Sequence, residues 1–291
     1  MALISSKPLG TLIRVADSDG GNGAANYEIA DINNLVPGGV VLVRKNNYSI
    51  SKFGSNANYP NSTLDNLIGT TIYNEMPQKL RDKMMDVTFN LYDSGDITRK
   101  MFALTFTMVG FGNNNGVAEG KALQLYTSDA SRIKTFDGSA SVWWLSSRHS
   151  SGNVLCVGAG GSASYGNPVG ILDVVPAFVI PQSLQIEDSA NTDGSYNIKY
   201  AEISCTVNMG STEEQPKAAL PIISCNGNLT LKICNNANDA NPAWETAANE
   251  TVHNFANTTK TAAQWAVGLK IDITCTAGEN LFLNEPVVLT M

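Results

Sequence analysis

The hydrophobic pattern changes period twice along the 291 residues. Short β-prone runs at 9–15 (LGTLIRV), 27–32 (YEIADI) and 40–43 (VVLV) are separated by DSDGGNG and NNLVPGG, both turn-forming compositions. An antiparallel meander is predicted there. Leu64, Leu67, Ile68 and Ile72 then fall at helical spacing behind Ser62 and Asp65, which resemble a capping box, so a helix is predicted over about Thr63 to Asn74. Pro77 suits the first turn of a second helix, with Leu80, Met84 and Met85 as its apolar stripe. From Val87 the period returns to two: Val87, Phe89 and Leu91 alternate with Thr88, Asn90 and Tyr92, and DSGD supplies a turn. MFALTFTMVGF predicts a longer strand with Phe102, Leu104, Phe106 and Met108 on one face, and LQLY, RIKTF, SVWWL, NVLCVG and AFVIP follow as short strands. Strands, two helices, then more strands without alternating βαβ units predict an α+β fold with an antiparallel sheet.

The stretch from Val142 to Ile180 holds adjacent tryptophans and two strand-like runs between glycine-rich loops. In an extended segment Trp143 and Trp144 point to opposite faces, so one anchors the interior and the other lies under a loop or at a surface. After Ile180 the polar run PQSLQIEDSANTDG marks a boundary: a first domain over 1–183, a linker over 184–194 and a second domain over 195–291. The second contains YNIKYAEISCTV, ALPIISC, LTLKICN, AVGLKIDITCTA and LFLNEPVVLTM, strand-like runs that suggest a β-sandwich pinned by Trp244 and Trp265.

Charge sharpens this picture mostly by exclusion. Only 15% of residues are charged and the net charge is −7, which argues against nucleic acid or an anionic membrane as partner. No apolar run approaches the length of a membrane span, and MALISSKPLGTLIRV lacks a basic n-region and an h-region, so synthesis in a cytoplasm is expected. Five cysteines without CxxC spacing predict buried free thiols. His149 and His253 lie in polar segments without a metal-binding spacing, so neither metal nor cofactor is expected. DSDGGN at 17–22, and more weakly Asp193 with Gly194, offer oxygen donors, but a turn explains them better than calcium. The pairs Glu187/Asp188 and Glu213/Glu214 read as exposed loop carboxylates. GAGGSASYG is a loop between strands, since no helix follows to complete a phosphate cradle.

The succession RIKTFDGSASVWWLSS, NVLCVGAGG and VGILDVVPAFVIP resembles a family of C-type-lectin-like domains of uncharacterised function. In that family an RI...G...WWLRS element is followed by a V...G strand and a GVRPA closing strand. With GTLIRV, VVLVRK, YPNSTLDNLI...IYNEMPQKL, MFALTF and SDASRI upstream, the resemblance covers about residues 9 to 181. Such domains occur in gut bacteria and their bacteriophages and are distantly similar to sulfatase-modifying enzymes and to phage receptor-binding lectin folds. Ser146 and Val175 stand where the family has arginines, Cys156 is the only cysteine of the domain, and the EPN, QPD and WND sugar-binding motifs are absent. The resemblance therefore implies a lectin-like fold without calcium-dependent sugar binding.

In the C-terminal part, Asp239, Pro242, Trp244, Glu245, Phe255, Asn257, Lys260, Thr261, Ala262 and Trp265 form a pattern similar to the terminal domain of phage structural proteins. The two resemblances imply a non-enzymatic virion surface protein, as tail fibre, baseplate or capsid decoration. It would dock on other virion proteins or its own copies and show a lectin-like domain to a host glycan or protein. Ser146, Arg148, His149, Asn153, Tyr165 and Asn167 are the candidate ligand-binding residues, with Trp143, Trp144, Trp244 and Trp265 as structural anchors. The alternatives are a capsid cement without host ligand and, further off, a sulfatase-modifying-like or glycan-hydrolysing enzyme.

Overall fold

The computed structural model describes residues 2–15 and 24–199, and beyond these 206–208, 217–219, 229–234, 243–248, 252–254, 269–275 and 287–289. It divides into two compact units, Met1–Ile198 and Lys199–Met291. The first is α+β and rich in sheet, as the periodicity predicts.

Six strands of the first unit form one sheet in the order Tyr196–Asn197, Leu12–Val15, Ala25–Ile32, Gly39–Arg44, Pro176–Pro181 and Met101–Ala103. All neighbours are antiparallel except the first two. Every residue of Gly39–Arg44 is buried, which is why VVLV is a continuous apolar run and does not alternate. A second sheet of five strands runs Ala163–Gly166, Val154–Val157, Trp143–Arg148, Ile171–Asp173 and Ile50–Lys52.

Both tryptophans of the central strand are buried, on opposite faces of the pleat. Trp143 donates its indole N–H to the Arg132 carbonyl at 3.1 Å, and Trp144 donates to the Ser51 carbonyl at 2.9 Å, so each ring buries its area without orphaning its polar atom. Trp144 lies beneath Gly166, where an added Cβ would stand 3.1 Å from the ring.

The first helical segment begins at Thr63 and continues through Glu75, with a wider π-type stretch over Leu67–Ile72. Ser62 caps it by accepting the Asp65 N–H at 3.0 Å, and Leu64, Ile68 and Ile72 are fully buried. Pro77 directly precedes the helix Gln78–Arg81, and Leu80 and Met84 are buried as the stripe predicts. A short helix over Asp129–Arg132 has no counterpart in the periodicity.

Two expectations need correction. MFALTFTMVGF is a strand only over Met101–Ala103, because the Thr105 hydroxyl accepts the Met108 N–H at 3.1 Å and turns the chain; Leu104 and Met108 are buried within that turn. The expected linker 184–194 is stitched to the first unit. Gln185–Ile186 pairs with Ala2–Leu3, Tyr196–Asn197 pairs with Leu12–Val15, and Leu184, Ile186 and Ile198 are buried. Between them Asp193 accepts hydrogen bonds from the Asn26 amide at 2.9 Å and from Ser195, which hold its carboxylate well below the usual range. Asp193 and Gly194 thus form a turn.

The described part of the second unit holds two antiparallel sheets. One orders Thr206–Asn208, Lys217–Ala219 and Val252–Asn254; the other orders Glu245–Ala247, Leu229–Cys234, Leu269–Cys275 and Val287–Leu289. Trp244 is half-buried. Trp265 and the 17–22 segment lie outside the described residues.

Candidate ligand-binding end of the five-stranded sheet

The hairpin that joins Trp143–Arg148 to Val154–Val157 builds the candidate site. His149 N–H donates to the Asn153 carbonyl at 2.8 Å, and Gly152, at φ 85°, donates to the His149 carbonyl at 3.0 Å. The positive φ explains the glycine at that turn position. Within the turn, His149 Nδ1 accepts the Ser151 N–H at 3.2 Å and lies 2.7 Å from the Ser151 hydroxyl, which also accepts the Asn153 amide at 3.1 Å. The imidazole is thereby fixed and stacks on Tyr165 at a centroid separation of 4.9 Å and an interplanar angle of 14°. Tyr165 sits on the edge strand and is 60% exposed.

Of the six candidates, the structure brings together Arg148, His149, Asn153 and Tyr165. Arg148 lies at the strand end, 3.3 Å from the Asn58 side-chain oxygen and 3.5 Å from the Asp93 carboxylate, while its carbonyl accepts the Asn114 amide at 2.9 Å. Asn167 follows two residues after Tyr165 and accepts the Val169 N–H at 3.1 Å in a side-chain-closed turn. Ser146 is not available to a ligand. It is buried, and its N–H and hydroxyl both donate to the Leu104 carbonyl, at 2.9 and 3.2 Å.

Residues that periodicity does not single out hold this end rigid. Glu119 is fully buried and accepts from the Ser147 hydroxyl, from the Tyr92 N–H at 3.0 Å and from the Asn114 amide at 3.1 Å. Burial pushes its carboxyl above the usual range, against the opposing pull of these hydrogen bonds. Its only trace in the sequence is an acidic residue inside the glycine- and asparagine-rich run GFGNNNGVAEG. The GAGG loop packs at Gly161 against the Asp129 carbonyl, which a Cβ would meet at 1.9 Å.

Reactive chemistry is muted where it is described. Burial raises the Cys156 thiol to about 11, so the thiolate nucleophile is scarce near neutral pH. Glu28 and Lys134 form a buried ion pair, with Lys45 on the second Glu28 oxygen at 3.1 Å; burial lowers Lys134 despite its carboxylate partner. Among the described residues there is no group of three or more His, Cys, Asp or Glu side chains placed to hold a metal, and no helix long and apolar enough to cross a membrane.

Fold and site together define a sheet-rich α+β domain with a rigid, polar-aromatic sheet end. Residues 38–182, which include that end, match the model of a domain of unknown function, DUF6273. No curated protein and no solved structure matches the chain.

Proposed function

We propose that the chain is a non-enzymatic surface protein of a bacteriophage particle, whose first unit presents the end of its five-stranded sheet to a host-cell surface. The observation that carries the binding role is the exposed His149–Tyr165 stack, fixed on a hairpin whose turn is closed by hydrogen bonds of His149, Ser151, Gly152 and Asn153. A pre-ordered aromatic surface loses little conformational freedom on binding. The virion setting rests on the sequence patterns, and the few surface charges suit a stably assembled particle. Immunogold labelling of purified particles, with adhesion of the purified protein to host cells, tests the proposal. Label on tails together with saturable adhesion is expected; absence from particles would overturn the virion setting.

A second reading, capsid cement without a host ligand, draws on the far side of the same sheet. There Ile50 and Ile171 are each more than half exposed. Label spread evenly over the capsid, without cell adhesion, would favour it.

A further inference from the structure

We infer that Tyr165 is the stacking platform of a carbohydrate subsite, with His149 as its backing ring; the inference rests on the proposed ligand-binding role of this sheet end. One face of the phenol ring is covered by the imidazole, so the 60% exposure of Tyr165 falls on its other face and its rim. An open aromatic face flanked by polar donors matches the chemistry of a pyranose. The sugar's C–H bonds carry partial positive charge and pack on the negative ring face, while its hydroxyls need both donors and acceptors at the rim.

The rim supplies both. Nδ1 of His149 accepts the Ser151 N–H, which assigns the ring proton to Nε2 and makes that nitrogen a donor. Ser151 and Asn153, tied to each other at 3.1 Å, add a hydroxyl and an amide that can donate or accept.

The exposed aliphatic residues argue for separating this subsite from a protein-docking patch. Ala163–Gly166 is the edge strand and pairs with Val154–Val157, whereas Ile171–Asp173 belongs to the other half of the sheet and pairs with Trp143–Arg148 and Ile50–Lys52. Tyr165 thus sits beside the hairpin that carries the Ser151 hydroxyl and the Asn153 amide, on a strand that pairs with neither that of Ile171 nor that of Ile50.

The test uses the full chain, a panel of capsular and O-antigen polysaccharides with free glucose, galactose and N-acetylglucosamine, saturation-transfer NMR, and adhesion to whole cells. Tyr165→Ala is expected to weaken sugar binding at least tenfold, and His149→Ala by severalfold. Tyr165→Phe, which keeps the ring, and Ile171→Ser, on a strand that does not pair with that of Tyr165, are expected to bind as the parent does. Loss in Tyr165→Phe equal to that in Tyr165→Ala would overturn the stacking role. Undiminished sugar binding by Tyr165→Ala would overturn the subsite while leaving the surface-binding proposal standing. So would cell adhesion without binding to any member of the panel, which would point to a protein receptor. Failure of both sugar binding and adhesion would overturn inference and proposal together.

Discussion

The two sheets of the first unit use their strands differently. In the six-stranded sheet the Gly39–Arg44 strand is buried along its whole length, with Pro176–Pro181 buried beside it up to Ile180. In the five-stranded sheet burial falls off toward the edge: Trp143–Arg148 and Val154–Val157 are almost wholly buried, whereas Ala163, Ser164 and Tyr165 on the edge strand are exposed. The difference separates stability from display. Apolar area removed from water on one sheet stabilises a platform on which the other carries an edge that contributes little to folding.

That contrast can be broken experimentally. Trp143→Ala should cost roughly 3–5 kcal/mol, because it removes a fully buried ring and strands the Arg132 carbonyl, whereas Tyr165→Ala should stay within about 0.5 kcal/mol. Urea denaturation of both variants measures the gap, and equal losses would erase the distinction. Lys134→Ala should cost about 3 kcal/mol by removing the buried partner of Glu28 and leaving it only the half-exposed Lys45. Replacing the pair together, Glu28→Leu with Lys134→Met, should recover most of that loss in the same assay. Gly161→Ala should lower stability by roughly 1–3 kcal/mol, since its φ is +84° and the Asp129 carbonyl occupies the space for a Cβ; thermal melts would show it.

The smallest effect concerns acidity. Burial raises the Glu119 carboxyl above its ordinary value of 4.5, so the folded state holds that proton more tightly than the unfolded chain. Its contribution is therefore greatest at low pH and declines as pH rises from about 4.5 through the folded value, by up to about 1.4 kcal/mol per pH unit. Glu119→Gln should flatten the pH dependence of stability in that window. An unchanged slope would remove Glu119 from the account.

The sequence discloses what local periodicity controls. Leu64, Ile68 and Ile72 mark the helix, Ser62 its cap, and Val87, Phe89 and Leu91 the alternating strand; all are buried or bonded as their spacing demands. It discloses less where partners are distant. Lys134 finds Glu28 106 residues away, and Thr105 turns its strand through a side-chain hydrogen bond that hydrophobic spacing does not register. Of the candidate site, the hairpin turn and Tyr165 are legible as a polar loop beside an aromatic strand. The burial of Ser146 is not, because it depends on Leu104, 42 residues earlier.

The pairing of Ala2 with Ile186 and of Ile13 with Tyr196 also sets a timetable. Ile186 follows Ala2 by 184 residues, which at ordinary rates of synthesis places it roughly 10–40 s later on the ribosome. Throughout that interval the outer edge of Leu12–Val15 has no strand to pair with. The unit closes only when its last strand emerges, so a nascent chain halted before Ile198 would present an open, associative edge to its neighbours.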